Sequence, residues 1–221
     1  MPRTILVTEG DSPLGAALVR LLAARVYAVA STLDRPQPAE PPLEDEAPRS
    51  PLAVNWNRRS PVSARTVVLS VLNSFETLDE ALILEPACPA SGPLNHVASA
   101  DIERAFDDIK GTVFLSREVL ASFQGRGGGV VCFVSGGTAA GPVESAAREA
   151  FRGMAASILA APGSGAIVAN GFQCGAVDPE EFAAFIDRTM EEKARKITGR
   201  WFSYPTRGGF LQGVFRTSSN P

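Results

Sequence analysis

Thr4-Ile5-Leu6-Val7 is a short apolar, β-rich run, and the turn residues Glu9-Gly10-Asp11-Ser12-Pro13 follow it. Leu14, Ala17, Leu18, Leu21 and Leu22 then recur at three- and four-residue spacing, the apolar stripe of an amphipathic helix. Val26 to Ala30 predicts a second strand. Strand, tight turn, helix, strand is the opening of a doubly wound sheet.

The segment from Arg35 to Pro42 breaks this rhythm. Each of its internal prolines removes a backbone donor and clashes with the preceding turn, so no helix forms there. With Glu44-Asp45-Glu46 after it, the segment predicts a solvated loop. Leu52-Ala53-Val54 is a third strand, Val62 to Phe75 a helix, and Ala81 to Leu84 a fourth strand. Ile102, Phe106, Ile109, Val113, Leu120 and Phe123 place a long helix between about Ala100 and Phe123, which the run Gly125 to Gly129 stops. Val130 to Val134 reads as a strand buried on both faces. A small-residue helix over about Val143–Ala161 and a strand at Ala166–Ala169 come next. Asp178-Pro179-Glu180-Glu181 opens a last helix with a cap, a first-turn proline and two favourable acids, before a strand at Arg200–Ser203. The pattern therefore predicts an α/β fold. It is a three-layer, doubly wound parallel sheet of about seven strands in one domain over residues 1–221, without repeat or linker.

Composition narrows the function classes. The chain has 221 residues, 45% hydrophobic and 20% charged, with a mean hydropathy of +0.05, so it is not disordered, coiled-coil or a disulfide scaffold. A net charge of -3 and a pI near 5.3 give no electrostatic reason to expect nucleic acid or an anionic membrane as partner. No apolar run approaches the ~18 residues of a membrane span. Met1-Pro2-Arg3 leads straight into a strand, so no signal peptide is expected. Cys88, Cys132 and Cys174 are widely spaced and read as reduced thiols of a cytoplasmic protein. They are expected to be small buried groups, the first and last of them at strand ends. His96 is the only histidine, so neither a Ser-His-Asp triad nor a metal site is expected. Arg58-Arg59 and the arginines from Arg188 to Arg200 read as solvated helix faces and ends. Trp56 and Trp201 are expected in the core or an interface.

Several short runs together resemble the short-chain dehydrogenase/reductase family, nearly end to end. Val7-Thr8 stands where that family has Val-Thr before its glycine-rich turn. Phe75-Glu76-Thr77-Leu78-Asp79 resembles Phe-Gly-x-Leu-Asp, and Asp108-Ile109-Lys110-Gly111 resembles Asn-Leu-Lys-Gly. Arg148-Glu149-Ala150-Phe151-Arg152-Gly153-Met154 matches the run that begins at the catalytic lysine. Asn170-Gly171-Phe172-Gln173-Cys174-Gly175, Ile197-Thr198-Gly199 and Gly208-Gly209 resemble the closing motifs. The resemblance implies a Rossmann fold.

The chemistry-bearing positions depart from the family. Its cofactor turn, Thr-Gly-x-x-x-Gly-x-Gly, here has Glu9, Pro13 and Gly15 at the glycine positions. The candidate positions for cofactor contact are Thr8, Gly10, Ser12, Leu14 and Gly15. Pro13 has no N–H to offer a phosphate. Glu9 brings a negative charge; at ~5 Å and an effective dielectric of ~20 each like-charge pair costs roughly 3 kcal/mol. The second strand ends in Ala30-Ser31-Thr32, where the family has an acid or a basic group for the ribose, and Glu85-Pro86-Ala87-Cys88 replaces Asn-Asn-Ala-Gly.

The resemblance places Asp108 at the catalytic Asn, Ser135 or Gly136 at the Ser, Glu144 at the Tyr and Arg148 at the Lys. A glutamate is shorter than the tyrosine, and a solvated one is ionised at neutral pH. The plain physical reading of Glu144 and Arg148 is an i, i+4 ion pair on a helix surface, worth about 0.3–0.5 kcal/mol. The segment between Gly175 and Asp178 is too short for the family's flap over substrate and cofactor. The loop from Ser135 to Glu144 also looks short. By contrast, the two long helices and the last helix and strand resemble the family's subunit contacts.

Two readings follow. The first is a non-catalytic subunit without nicotinamide cofactor, in a homo-oligomer or a heteromer with an active short-chain dehydrogenase paralogue. The alternative is an atypical NAD(P)(H)-dependent oxidoreductase, or a non-redox enzyme similar to the halohydrin dehalogenases. It would use Ser135, Glu144 and Arg148 on a small molecule that the sequence does not name. A dinucleotide- or metabolite-sensing module without turnover stands behind these.

Overall fold

A computed structural model describes residues 3–25, 27–33, 50–161 and 166–205. The proline-rich loop, Val26 and Gly208-Gly209 lie outside them. Seven strands form one parallel sheet: β1 (Thr4–Val7), β2 (Ala28–Leu33), β3 (Leu52–Asn55), β4 (Glu80–Leu84), β5 (Gly129–Ser135), β6 (Ile167–Gln173) and β7 (Arg200–Ser203). Their order is β3-β2-β1-β4-β5-β6-β7. The winding reverses between β1 and β4, and the crevice outside their carboxyl ends is where such sheets bind ligands.

The helices are α1 (Pro13–Ala24), α2 (Pro61–Phe75), α3 (Ser99–Arg126), α4 (Pro142–Ala160) and α5 (Pro179–Thr189). Strand side chains alternate between two cores, as a sheet covered on both faces requires. Leu6, Ala81, Ile83, Val131 and Phe133 meet α2, α3 and α4 through Val67, Val71, Leu115, Phe123 and Phe151. Ile5, Val7, Leu82, Cys132 and Val134 meet α1 and α5 through Leu18, Leu22, Phe182 and Ile186.

Three boundaries differ from the sequence pattern. β2 runs on to Leu33. α3 continues through Gly125 and stops at Arg126, where Gly127 takes the left-handed φ of 83° that closes a helix. β6 extends through Asn170 to Gln173. The reason is Asn170, fully buried, whose Nδ2 donates to the Ala194 and Ile197 carbonyls at 2.8 and 2.7 Å while its Oδ1 accepts from Arg200 N at 2.9 Å. A polar residue thus sits inside a buried strand because all its bonds are made.

The start of α5 follows the sequence. Asp178 Oδ1 accepts from the backbone N–H of Glu180 and Glu181 at 2.9 and 3.3 Å, with Pro179 in the first turn. Asp178→Ala is expected to cost about 1 kcal/mol, read as a lower midpoint in urea unfolding with unchanged slope.

Candidate functional site

Two pockets open at the carboxyl edge of the sheet. The first, about 280 Å³, lies beyond the ends of β1, β4, β5 and β6. Its walls include Ser12, Pro13 and Leu14 from the start of α1, Glu85 and Cys88 after β4, Glu144 and Arg148 on α4, and Cys174 after β6. Phe182, Val134 and Leu84 supply its apolar floor. Burial pushes the Cys88 and Cys174 thiols above the ordinary thiol range, so both stay protonated at neutral pH and neither is an activated nucleophile.

Arg148 is the hub of this pocket, and most of its side chain is buried. Its Nε donates to Glu85 Oε1 at 2.7 Å, its Nη1 to the Gly137 carbonyl at 3.0 Å and its Nη2 to the Gly136 carbonyl at 3.3 Å. Glu85 Oε2 accepts the Ser135 hydroxyl at 2.6 Å, and Ser135 Oγ accepts from Arg152 Nε at 3.1 Å. Ser135 is buried and does not line the pocket. Glu144 lies 3.6 Å from Arg148, and its other oxygen accepts the Ala140 N–H at 2.6 Å. The expected i, i+4 pair of Glu144 and Arg148 is present, but the expectation that it lies on the surface is corrected, since both side chains are largely buried. Arg148 turns inward to Glu85, a partner from another element.

The second pocket, about 670 Å³, lies beyond β2 and β3 against α2 and α3. Trp56, Arg58, Arg59, Arg104, Asp107 and Asp108 line it. Asp108, placed by the resemblance with Ser135, Glu144 and Arg148, is thus on the wall of the other pocket. Its carboxylate lies 3.4 Å from Arg58 Nε. Arg58 is also paired with Glu9, and its guanidinium lies 4.3 Å from the centre of the Trp56 ring. Expecting Arg58 among solvated arginines was wrong: only 7% of it is exposed. Arg195 is corrected likewise, being bound to Glu80 at the opposite edge of the sheet. Arg59 stays largely exposed, with Asp107 at 2.6 Å.

The turn between β1 and α1 supplies Ser12 to the wall of the first pocket and, through Glu9, pairs with Arg58 of the second. Glu9 takes a left-handed φ of 57°, and its N–H donates to Thr32 Oγ1 at 3.2 Å. Ser12 caps α1, its Oγ accepting the Gly15 N–H at 3.0 Å. Gly10 N donates to the Thr32 carbonyl at 2.9 Å, and Thr8 Oγ1 accepts from Leu84 N at 2.7 Å. Of the expected contact positions, Ser12 and Leu14 face the first pocket. Thr8, Gly10 and Gly15 are spent on holding the turn together.

The model of the short chain dehydrogenase family matches residues 3–189. The chain belongs to that family. No curated protein matches it at significant sequence similarity. Among solved structures, a levodione reductase superposes with a TM-score of 0.76 at 15% identity, over 91% of this chain and 95% of its own. An NADH-dependent reductase A1-R′, complexed with NAD, superposes with a TM-score of 0.74 at 14% identity, over 92% and 95%. These two establish the common fold.

The short-chain dehydrogenase fold implies a nicotinamide dinucleotide, and the residues present do not fit one. Such a cofactor lies along the carboxyl edge with its pyrophosphate at the start of the first helix. Here the Gly15 N–H is already bonded to Ser12, and Pro13 has none to give. Among the described residues none lines both pockets. The charge objection to Glu9 does resolve, since Arg58 neutralises it, but the resolution fills space instead of clearing it. Between β6 and α5 only residues 174–178 intervene, so among the described residues this connection places no flap over the first pocket. Sequence reasoning missed Glu85 and Arg58 as site residues. Glu85 carried a signal: an acid stands at the end of a central strand, where the family has an amide, with Arg148 opposite.

Proposed function

We propose that this short-chain dehydrogenase-fold chain is a non-catalytic subunit, acting as a structural or regulatory partner in a homo-oligomer or with an active relative. The observation that carries this reading is the closed network Arg152–Ser135–Glu85–Arg148–Glu144. Reduction of a carbonyl needs a group that hands a proton to the substrate oxygen inside the pocket. Here the serine hydroxyl is buried and committed to Glu85, and every nitrogen of Arg148 bonds a protein oxygen. The short connection between β6 and α5 leaves the pocket without the family's flap among the described residues, which works against the exclusion of water that hydride chemistry needs.

The outer faces of α3 and α4 support association. Phe106 and Val113, 50% and 44% exposed, lie one above the other on α3. On neighbouring α4, Ala146, Ala150, Gly153, Ser157 and Ala160 face outward, a flat strip that lets another helix approach closely. Three free cysteines fit a reducing, cytoplasmic setting. Among the described residues no helix is long and apolar enough to cross a membrane.

Light scattering after size exclusion should give a dimer or larger, and Phe106→Glu with Val113→Arg should give a monomer. A wild-type monomer that captures no relative would sink the subunit reading. The competing reading, an altered enzyme, draws on the pocket itself, where Glu144 and Arg148 both reach the wall. It requires NADH or NADPH consumption that Glu144→Gln or Arg148→Ala abolishes. We expect none above buffer.

A further inference from the structure

Arg58 is held with more care than a packing arginine needs. Glu9 and Asp108 pair with it from two different elements, and Trp56 lies under its guanidinium. Gly111 on α3 leaves room for it. A methyl group at that glycine would come within 2.8 Å of the Arg58 Cα and carbonyl oxygen. Glu9 accepts a left-handed backbone, which a non-glycine residue adopts only at a cost. These features converge on one place, the β1–α1 turn between the two pockets.

We propose that Arg58 is a built-in plug. Clamped by Glu9 and Asp108, it fills the middle of the carboxyl-edge crevice and divides it into two compartments, so that an extended dinucleotide cannot lie across it. The cation and the two carboxylates that flank it are buried. A pyrophosphate entering here has to displace Glu9 from Arg58, exchanging one anion for another and leaving the Glu9 carboxylate buried without its partner.

The test removes all three charges together, so that none is left uncompensated: Glu9→Gly, Arg58→Ser, Asp108→Asn. The glycine also suits the left-handed turn. Binding of NADH and of ADP-ribose is followed by calorimetry for wild type and variant. Wild type should show no saturation, and the variant should gain affinity at least roughly tenfold. Wild type that binds NADH as tightly as the variant, or a folded variant that gains nothing, overturns the plug. If the triple variant does not fold, the Arg58 Nε–H resonance of the wild type serves instead. It should not shift on adding ADP-ribose, and a saturable shift overturns the proposal. The plug rests on the non-catalytic reading only for its context. Wild type that binds NADH without consuming it removes the plug and leaves that reading standing. Wild type that binds no NADH and is a monomer capturing no relative keeps the plug and removes the reading.

Discussion

Glu80→Ala should lower the stability of the chain by about 3–5 kcal/mol, seen as a fall of roughly 10 °C in the thermal midpoint. Glu80 opens β4 in the centre of the sheet and is 1% exposed. Its Oε1 accepts from Arg195 Nε at 2.7 Å and from Arg3 Nη1 at 2.7 Å, and its Oε2 from Arg195 Nη2 at 3.0 Å. Arg195 also reaches the Tyr27 hydroxyl at 3.2 Å. Burial pulls the Arg195 pKa down, but the hydrogen bond and charge of Glu80 outweigh it and hold the guanidinium above its ordinary range. Removing the carboxylate therefore strands a partly buried cation. Arg3→Ala should cost far less, because that side chain is 55% exposed and its pair is screened by water. Replacing Glu80 and Arg195 together by leucine should cost less than Glu80→Ala alone, since no charge is then left without its partner. A double-mutant cycle on urea midpoints measures the difference.

Gly15→Ala is the second large effect expected. A methyl group at position 15 would overlap the Glu9 carbonyl and come within 3.0 Å of Ser12 Oγ. The obstacle is backbone, which cannot swing away as a side-chain tip does. The first turn of α1 must therefore move off the sheet, at about 3 kcal/mol, the upper end of ordinary overpacking. The Ser12 cap and the Glu9–Arg58 contact should loosen with it. Gly153→Ala is the matched control. That glycine lies within α4 with nothing inside 4 Å of the added methyl, so the change should stabilise by about 0.5–1 kcal/mol. Thermal melts of the two variants should move in opposite directions. Equal shifts would contradict the account of the turn.

The elements were legible where the sequence spoke through local chemistry. Ile5–Val7 of β1 and Ala81–Leu84 of β4 are continuous apolar runs, and α5 announces itself by Asp178, Pro179 and two acids. Their spans agree with the pattern to within a residue or two, because strand alternation, capping and proline all act over a few positions. Asn170 was harder. A polar residue followed by glycine looks like the end of a strand until Ala194, Ile197 and Arg200 are seen to satisfy it. Their distance along the chain hides them.

The site shows the same division. Glu144 and Arg148 face the pocket as their i, i+4 spacing on one helix requires, so their neighbourhood could be read. Their bonding could not, since the partner that matters, Glu85, lies 63 positions away. Arg58 finds Glu9 across 49 positions and Arg195 finds Glu80 across 115. An arginine in sequence carries no mark of whether a carboxylate will be folded against it, and solvation is the better expectation for an isolated one.

By itself, then, the sequence determined the parallel sheet, its covering helices and the family, and that Glu9, Pro13, Glu144 and Arg148 stand where the resemblance places two glycines, a tyrosine and a lysine. Those properties follow from periodicity and residue type, both local. Only the tertiary structure decided what fills the vacated positions: a plug of Glu9, Arg58 and Asp108 in one place, a closed network around Arg148 in another. A buried charge is tolerated only where its counter-charge arrives by folding, and that meeting is set by the path of the whole chain.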